Sequence, residues 1–62
     1  MKWISVDDRL PELGEDVLVC NHWGEVSIDM VWINPAGKME FYFDGTNVTH
    51  WMPLPEPPKE DA

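Results

Sequence analysis

The chain has 62 residues, and its twelve Asp or Glu against four Lys or Arg give a formal net charge of −8. A chain this short buries only about 60% of the surface that its unfolded form exposes, so we expect one domain that needs additional stabilisation. The acidic charge argues against direct binding of nucleic acid, because that affinity comes largely from Lys and Arg displacing counterions.

The N-terminal part is predicted to hold an edge strand over 3–5 and one short helical turn. Ser5 and Asp8 have the spacing of a capping box, and the turn ends before the proline that follows. The next predicted strand, 15–21, contains an apolar run at 17–20, which is too short for a helix and rich in β-branched residues. We expect this strand to be central and buried on both faces.

A turn at 22–24 precedes a long predicted strand over 25–33, in which side chains alternate strictly between two faces. The expected core face carries four apolar residues, Val26, Ile28, Met30 and Trp32. The other face begins polar and ends apolar, which predicts that another element covers its far end. Asp29 lies on that other face, and we expect it to face solvent.

Two further turns define the C-terminal half. The sequence Asn-Pro-Ala-Gly at 34–37 predicts a hairpin, because Pro fixes φ and Gly accepts a left-handed conformation. Its return strand, 38–44, is predicted to have an aromatic inner face made of Met39, Phe41 and Phe43. Asp-Gly at 44–45 predicts the next turn. The last strand, 48–52, then ends at a proline that cannot donate to a ladder.

The remaining residues are dominated by proline. We expect 53–58 to form an extended Pro-rich strap that packs over the sheet, and 59–62 to be a disordered tail. The fold class is therefore all-β: a single domain over 1–58, built as a small antiparallel meander of four to five strands, either open or closed into a partly open barrel. One N-terminal helical turn and the C-terminal strap complete it.

Three segments resemble a widespread phage and prophage family that is known as a domain of unknown function, numbered 551. They are the opening WISVDDRLP at 3–11, the DVLV at 16–19 and the closing THWMPLPEPP at 49–58. The resemblance brackets the whole domain and implies a protein made in the cytoplasm of an infected or lysogenic bacterium. It implies no active site, because none is assigned to the family.

Association between copies is the stabiliser that the sequence favours. Cys20 is the only cysteine, which excludes an internal disulfide, and its apolar neighbours predict an inert buried thiol. Cys20, His22 and His50 lack the paired spacing of zinc ligands, so we expect neither a metal nor another cofactor. No segment approaches the ~20 apolar residues of a membrane span, which supports a cytoplasmic location.

Binding is a better-supported class of function than catalysis. Four Trp in 62 residues exceed what so small a sheet can bury, so we expect some at an interface or a ligand cleft. The chain lacks a phosphate loop, a nucleophile elbow and a metal motif. The predicted binding residues offer stacking and hydrogen-bonding groups, and they are Arg9, Trp23, Tyr42, His50 and Trp51.

Three functions remain open at this point. In the first, an oligomer binds or sequesters a small nucleotide-like ligand to counter host defence, although few cations are present to hold its phosphates. In the second, the acidic surface docks on a host or phage protein as an inhibitor or adaptor. In the third, His50 is the base of a small hydrolase, which requires a partner residue that sequence does not reveal.

Overall fold

The computed structural model describes residues 2–55. Its six strands are β1 (Ile4–Ser5), β2 (Val17–Asn21), β3 (Val26–Asp29), β4 (Val31–Ile33), β5 (Met39–Phe41) and β6 (Val48–Pro53). A four-stranded antiparallel sheet has the order β1-β6-β2-β3, and β4 pairs with β5 in a separate two-stranded sheet. The prediction of an all-β antiparallel fold is confirmed, and the two sheets are open.

The N-terminal segment forms a single turn. The carbonyl of Ser5 accepts hydrogen bonds from the backbone N–H groups of Asp8 at 3.0 Å and Arg9 at 3.3 Å, and its hydroxyl accepts one from Asp7 at 3.2 Å. The capping arrangement is therefore present at Ser5, but the chain does not continue into a helix. No helix within residues 2–55 is long and apolar enough to cross a membrane.

β2 is the central strand of the larger sheet, as predicted, because β3 and β6 flank it. Val17 and Val19 are fully buried on one face, while Leu18 and Cys20 on the other face are only half-buried. The expectation that β2 is buried on both faces is thus wrong for the second face. The hydrophobic core lies on the first face and consists of Val17, Val19, Val31, Phe41, Val48 and Trp51.

An irregularity in the β2–β6 ladder brings two residues of β6 into this core. Cys20 pairs with His50, but the next residue, Asn21, pairs with Val48, so Thr49 is an extra residue in β6. A bulge of this kind resets the alternation of side chains. Val48 and Trp51 are three residues apart and would otherwise face opposite sides of the sheet, yet both are buried.

The predicted strand 25–33 is two strands, and its predicted core face is wrong. Val26 and Ile28 are more than half exposed, whereas Asp29 and Val31, of the opposite parity, are buried. The chain leaves the larger sheet at Met30, since β3 pairs with β2 and β4 pairs with β5. The predicted cover over the far end of the other face holds for Val31, which lies in the core, but not for Ile33, which is 53% exposed.

The predicted strand 38–44 ends early, at Phe41. Phe41 is buried, but Met39 and Phe43 are 47% and 73% exposed, so only one of the three predicted inner residues reaches the core. The chain turns after Phe41 because the Asp29 carboxylate accepts hydrogen bonds from the backbone N–H groups of Phe43 and Asp44. Gly45 then adopts a left-handed φ of 57°, in the turn that the sequence predicted.

Both hairpins close with the same turn. In each, an Asn side-chain oxygen accepts from the N–H groups two and four residues later: Trp23 and Glu25 for Asn21, Ala36 and Lys38 for Asn34. The backbone N–H of the glycine three residues on donates to the Asn carbonyl in both. These glycines have φ near 80°, which a residue with a Cβ seldom adopts.

The two ends of the domain are joined by β1 and β6, in which Ile4 pairs with Trp51 and Ser5 with His50. Trp3 is 42% exposed and Trp51 is 5% exposed, so backbone pairing and not stacked indoles holds the ends together. Of the predicted strap, Pro53 ends β6 and residues 54–55 are exposed. Residues 56–58 of the strap and the predicted tail 59–62 lie outside the described residues.

Candidate functional site

A pocket of about 230 Å³ lies between the N-terminal turn and the segment that connects β5 to β6. Its lining is mostly apolar and consists of Val6, Leu10, Met39, Glu40, Phe41, Gly45, Thr46 and Val48. Phe41 and Val48 are core residues, so the pocket reaches down to the hydrophobic core. Leu10 and Met39 are 38% and 47% exposed, and they give the pocket an apolar rim.

Glu40 is the only charged residue in the lining. A Cβ atom placed on Gly45 would lie 4.0 Å from Glu40 Oε2, so this carboxylate is directed towards the turn that closes one side of the pocket. Three cationic residues are described, Lys2, Arg9 and Lys38, and none of the three lines the pocket. The site therefore combines apolar walls with one negative charge.

Arg9 and Trp51 are brought together, but as part of the fold. The Trp51 indole N–H donates to the Arg9 carbonyl at 2.8 Å, and the Arg9 guanidinium carbon lies 5.9 Å from the indole centroid. Trp51 is 5% exposed, so its ring fills the core and holds the N-terminal turn in place. The sequence predicted Trp51 to be a binding residue, but its buried indole ring offers no open face to a ligand.

Trp23 and Tyr42 are exposed, as a binding role requires, but they lie on different elements. Trp23 is 65% exposed at the tip of the β2–β3 hairpin, where its ring centroid is 3.8 Å from that of His22. Tyr42 is 48% exposed and packs edge-on against Trp32 and Phe43. Trp23 contacts His22, Tyr42 contacts Trp32 and Phe43, and of the five predicted residues only Arg9 and Trp51 are seen in contact with each other.

His50 is fixed by its neighbour in the bulge. The Thr49 hydroxyl donates to the Cys20 carbonyl at 3.2 Å, so it accepts a hydrogen bond from His50 Nδ1 at 2.9 Å. The cross-strand neighbours of His50 are Ser5, whose hydroxyl accepts a hydrogen bond from the Asp7 N–H, and Cys20, whose thiol donates to the Asn21 carbonyl.

Asp29, which the sequence predicted to face solvent, is buried and hydrogen-bonded to the backbone. It is 1% exposed, and its carboxylate accepts hydrogen bonds from three backbone N–H groups, those of Met30 at 2.7 Å, Phe43 at 3.1 Å and Asp44 at 3.0 Å. The expectation that Asp29 faces solvent is wrong. A carboxylate so fully engaged with the backbone has a structural role: it joins the end of β3 to the turn after β5.

Comparison with known proteins places the chain among phage proteins without an assigned activity. The family described as "Protein of unknown function (DUF551)" matches residues 2–59. An uncharacterized 7.8 kDa protein from the ral-gp17 intergenic region of Salmonella phage P22 is 39% identical over an alignment 69 positions long. The alignment covers 97% of this chain and 100% of the phage protein. No solved structure matches the chain.

Proposed function

The chain belongs to the DUF551 family, and from this premise we propose that this phage-associated protein is a non-enzymatic binding protein that docks on another protein. It acts in the cytoplasm of the infected or lysogenic host. Its pocket between the N-terminal turn and β5 receives a basic side chain of the partner protein. The observation that carries the proposal is a small apolar pocket whose single charge is the Glu40 carboxylate.

The dimensions of the pocket favour a side chain over a free ligand. Sites for small molecules and cofactors usually have volumes of about 300–1,000 Å³, and this pocket has about 230 Å³. A Lys or Arg side chain has an apolar stem that packs along apolar surface while its charged head stays at the edge. The walls formed by Val6, Leu10 and Met39 suit the stem, and Glu40 suits the head.

The charges favour a basic protein over a nucleotide. A phosphorylated ligand requires several cations or converging backbone amides, but Lys2, Arg9 and Lys38 lie outside the pocket lining. The net charge of −8 also attracts a basic partner over long range and speeds the encounter. Protein surfaces that bind nucleic acid are rich in Lys and Arg. This protein would therefore act as an inhibitor or adaptor that docks on such a surface of a host protein.

The first experiment uses a short acetylated and amidated peptide with one central lysine, titrated into the ¹⁵N-labelled protein and followed by NMR. We expect amide shifts at the pocket, around Gly45 and Thr46. The norleucine analogue, which has an apolar stem without the charge, is expected to bind up to about fivefold more weakly, because an exposed charge pair contributes up to about 1 kcal/mol.

The matched variants are Glu40→Gln and Glu15→Gln, which remove the same charge inside and outside the pocket. Glu40→Gln is expected to abolish the preference for lysine over norleucine, and Glu15→Gln is expected to keep it. Equal binding of the two peptides to the unmodified protein contradicts the proposal. Shifts of the pocket amides with ATP, and none with the lysine peptide, assign the pocket to a nucleotide instead.

A further inference from the structure

On the face of the four-stranded sheet that points away from the core, the strand residues carry no Asp, Glu, Lys or Arg, and exposed Asp16 lies only at the margin, just before β2. We refer to the strand residues of this face, together with Trp3, as the outer face. Strand register places six strand residues on it besides Ser5 of β1: Leu18, Cys20, Val26, Ile28, His50 and Met52. Trp3, which immediately precedes β1, is next in register to Met52. These eight positions contain no Asp, Glu, Lys or Arg, although twelve of the 62 residues are acidic.

The apolar residues of the outer face form a continuous row across the sheet. The order of strands and the register place Trp3, Met52, Leu18 and Ile28 side by side. Ile28 and Trp3, at the two ends of this row, are 56% and 42% exposed, whereas Leu18 is half-buried and Met52 is 7% exposed. The neighbouring row holds Val26, which is 55% exposed. Exposed apolar residues that adjoin one another mark a surface that another molecule covers.

We propose that the outer face is the interface between two copies of this chain. Each copy carries a net charge of −8, so two copies repel each other through any surface on which carboxylates meet. A two-fold interface apposes the same patch from both copies. A patch without charges is the one surface of this sheet on which no like charges are brought together.

The same observation argues against a basic partner at this face. A basic protein gains nothing from a surface that lacks carboxylates, and the pocket with Glu40 lies on the core side of the sheet, lined by the core residues Phe41 and Val48. Dimerisation would also supply the burial that so short a chain lacks, and it would cover the second face of β2. The proposal is independent of the proposed function.

Sedimentation equilibrium of the full chain over a wide range of concentrations tests it. We expect a reversible dimer that Ile28→Asp weakens at least about tenfold, because the substitution brings a carboxylate into the interface from both copies. The matched control is Ile33→Asp, on β4, where the side chain is 53% exposed and lies outside the outer face. We expect this control to dimerise about as well as the unmodified chain.

Mixing variants adds a second readout. Ile28→Lys alone is expected to dimerise as weakly as Ile28→Asp, and an equimolar mixture of the two is expected to recover association, because opposite charges then meet. Salt provides a third: higher ionic strength screens the repulsion between copies, so the dimer is expected to strengthen, whereas lysine-peptide binding at the pocket is expected to weaken.

Two results would overturn the proposal: a monomer at every concentration, or dimerisation that Ile33→Asp disrupts and Ile28→Asp does not. Each result concerns the outer face alone. The lysine-peptide titration is read from pocket amides on the other side of the sheet, so failure of the dimer and failure of the proposed function are distinguishable.

Discussion

The two faces of the four-stranded sheet use the same strands for opposite purposes. The inner face buries Val17, Val19 and Trp51, together with a carboxylate, Asp29, that is fully engaged with backbone N–H groups. The outer face has no charged residue, yet Val26 and Ile28 are more than half exposed there. The apolar residues of the inner face are thus buried within one chain, whereas on the outer face Met52 is buried, Leu18 is half-buried and the residues of β3 are exposed.

This difference shows that hydrophobicity alone does not identify the core of a small sheet. The apolar residues of β3 are on the outer face, and its buried residue is an aspartate. Within the single chain, the second sheet covers only the inner face, since Val31 and Phe41 pack there. Variants on the two faces should therefore separate the stability of the chain from its self-association.

The largest effect on stability is expected from Trp51→Ala on the inner face. Removal of a buried aromatic side chain costs about 3–5 kcal/mol, comparable with the whole stability of a domain of this size. The substitution also removes the indole hydrogen bond to the Arg9 carbonyl. Urea denaturation followed by circular dichroism measures the loss, and Trp51→Phe is the control, which keeps most of the buried area. Equal stability of the Ala variant and the unmodified chain would refute the structural role of Trp51.

Asp29→Ala is expected to destabilise the fold by about 2–4 kcal/mol, because three N–H groups lose their acceptor. Each group would cost about 1–3 kcal/mol if fully buried, and less here because the three bonds are only partly buried. Hydrogen exchange of the Phe43 and Asp44 amides should accelerate more than that of β2. Asp16→Ala, at an exposed position, removes the same charge and is expected to change stability by less than about 0.5 kcal/mol. A stable Asp29→Ala variant with unchanged exchange would contradict the assigned role.

The smallest effects compare two neighbours on β2 that face opposite sides. Val19→Ala is expected to cost about 2 kcal/mol because Val19 is fully buried. Leu18→Ala removes more carbon atoms but is expected to cost less than about 1 kcal/mol in dilute solution, since Leu18 is only half-buried in the single chain. Thermal unfolding at two concentrations checks this, and the cost of Leu18→Ala should grow with concentration. A larger cost for Leu18→Ala in dilute solution would mean that the chain itself covers the outer face.

Much of the local structure could be predicted because it depends on a few adjacent residues. The Asn-Pro-Ala-Gly and Asp-Gly turns lie where the sequence placed them, and the glycines at 37 and 45 have positive φ. The apolar run at 17–20 correctly predicted the central strand. The candidate pocket was not predicted, since its lining comes from four separate parts of the chain, and neither Glu40 nor Leu10 has a neighbour in sequence that indicates a site.

The sequence by itself determined the all-β class, the positions of the turns and the central place of β2, because turn chemistry and β-branched runs act over a few residues. Only the tertiary structure decided which face of each strand is buried. Alternation defines two faces without indicating which one a second sheet covers, and the bulge at Thr49 changes the parity within β6. The bulge places Val48 inside together with Trp51, and pairing with Val17 places Asp29 on the same face, where the second sheet covers it.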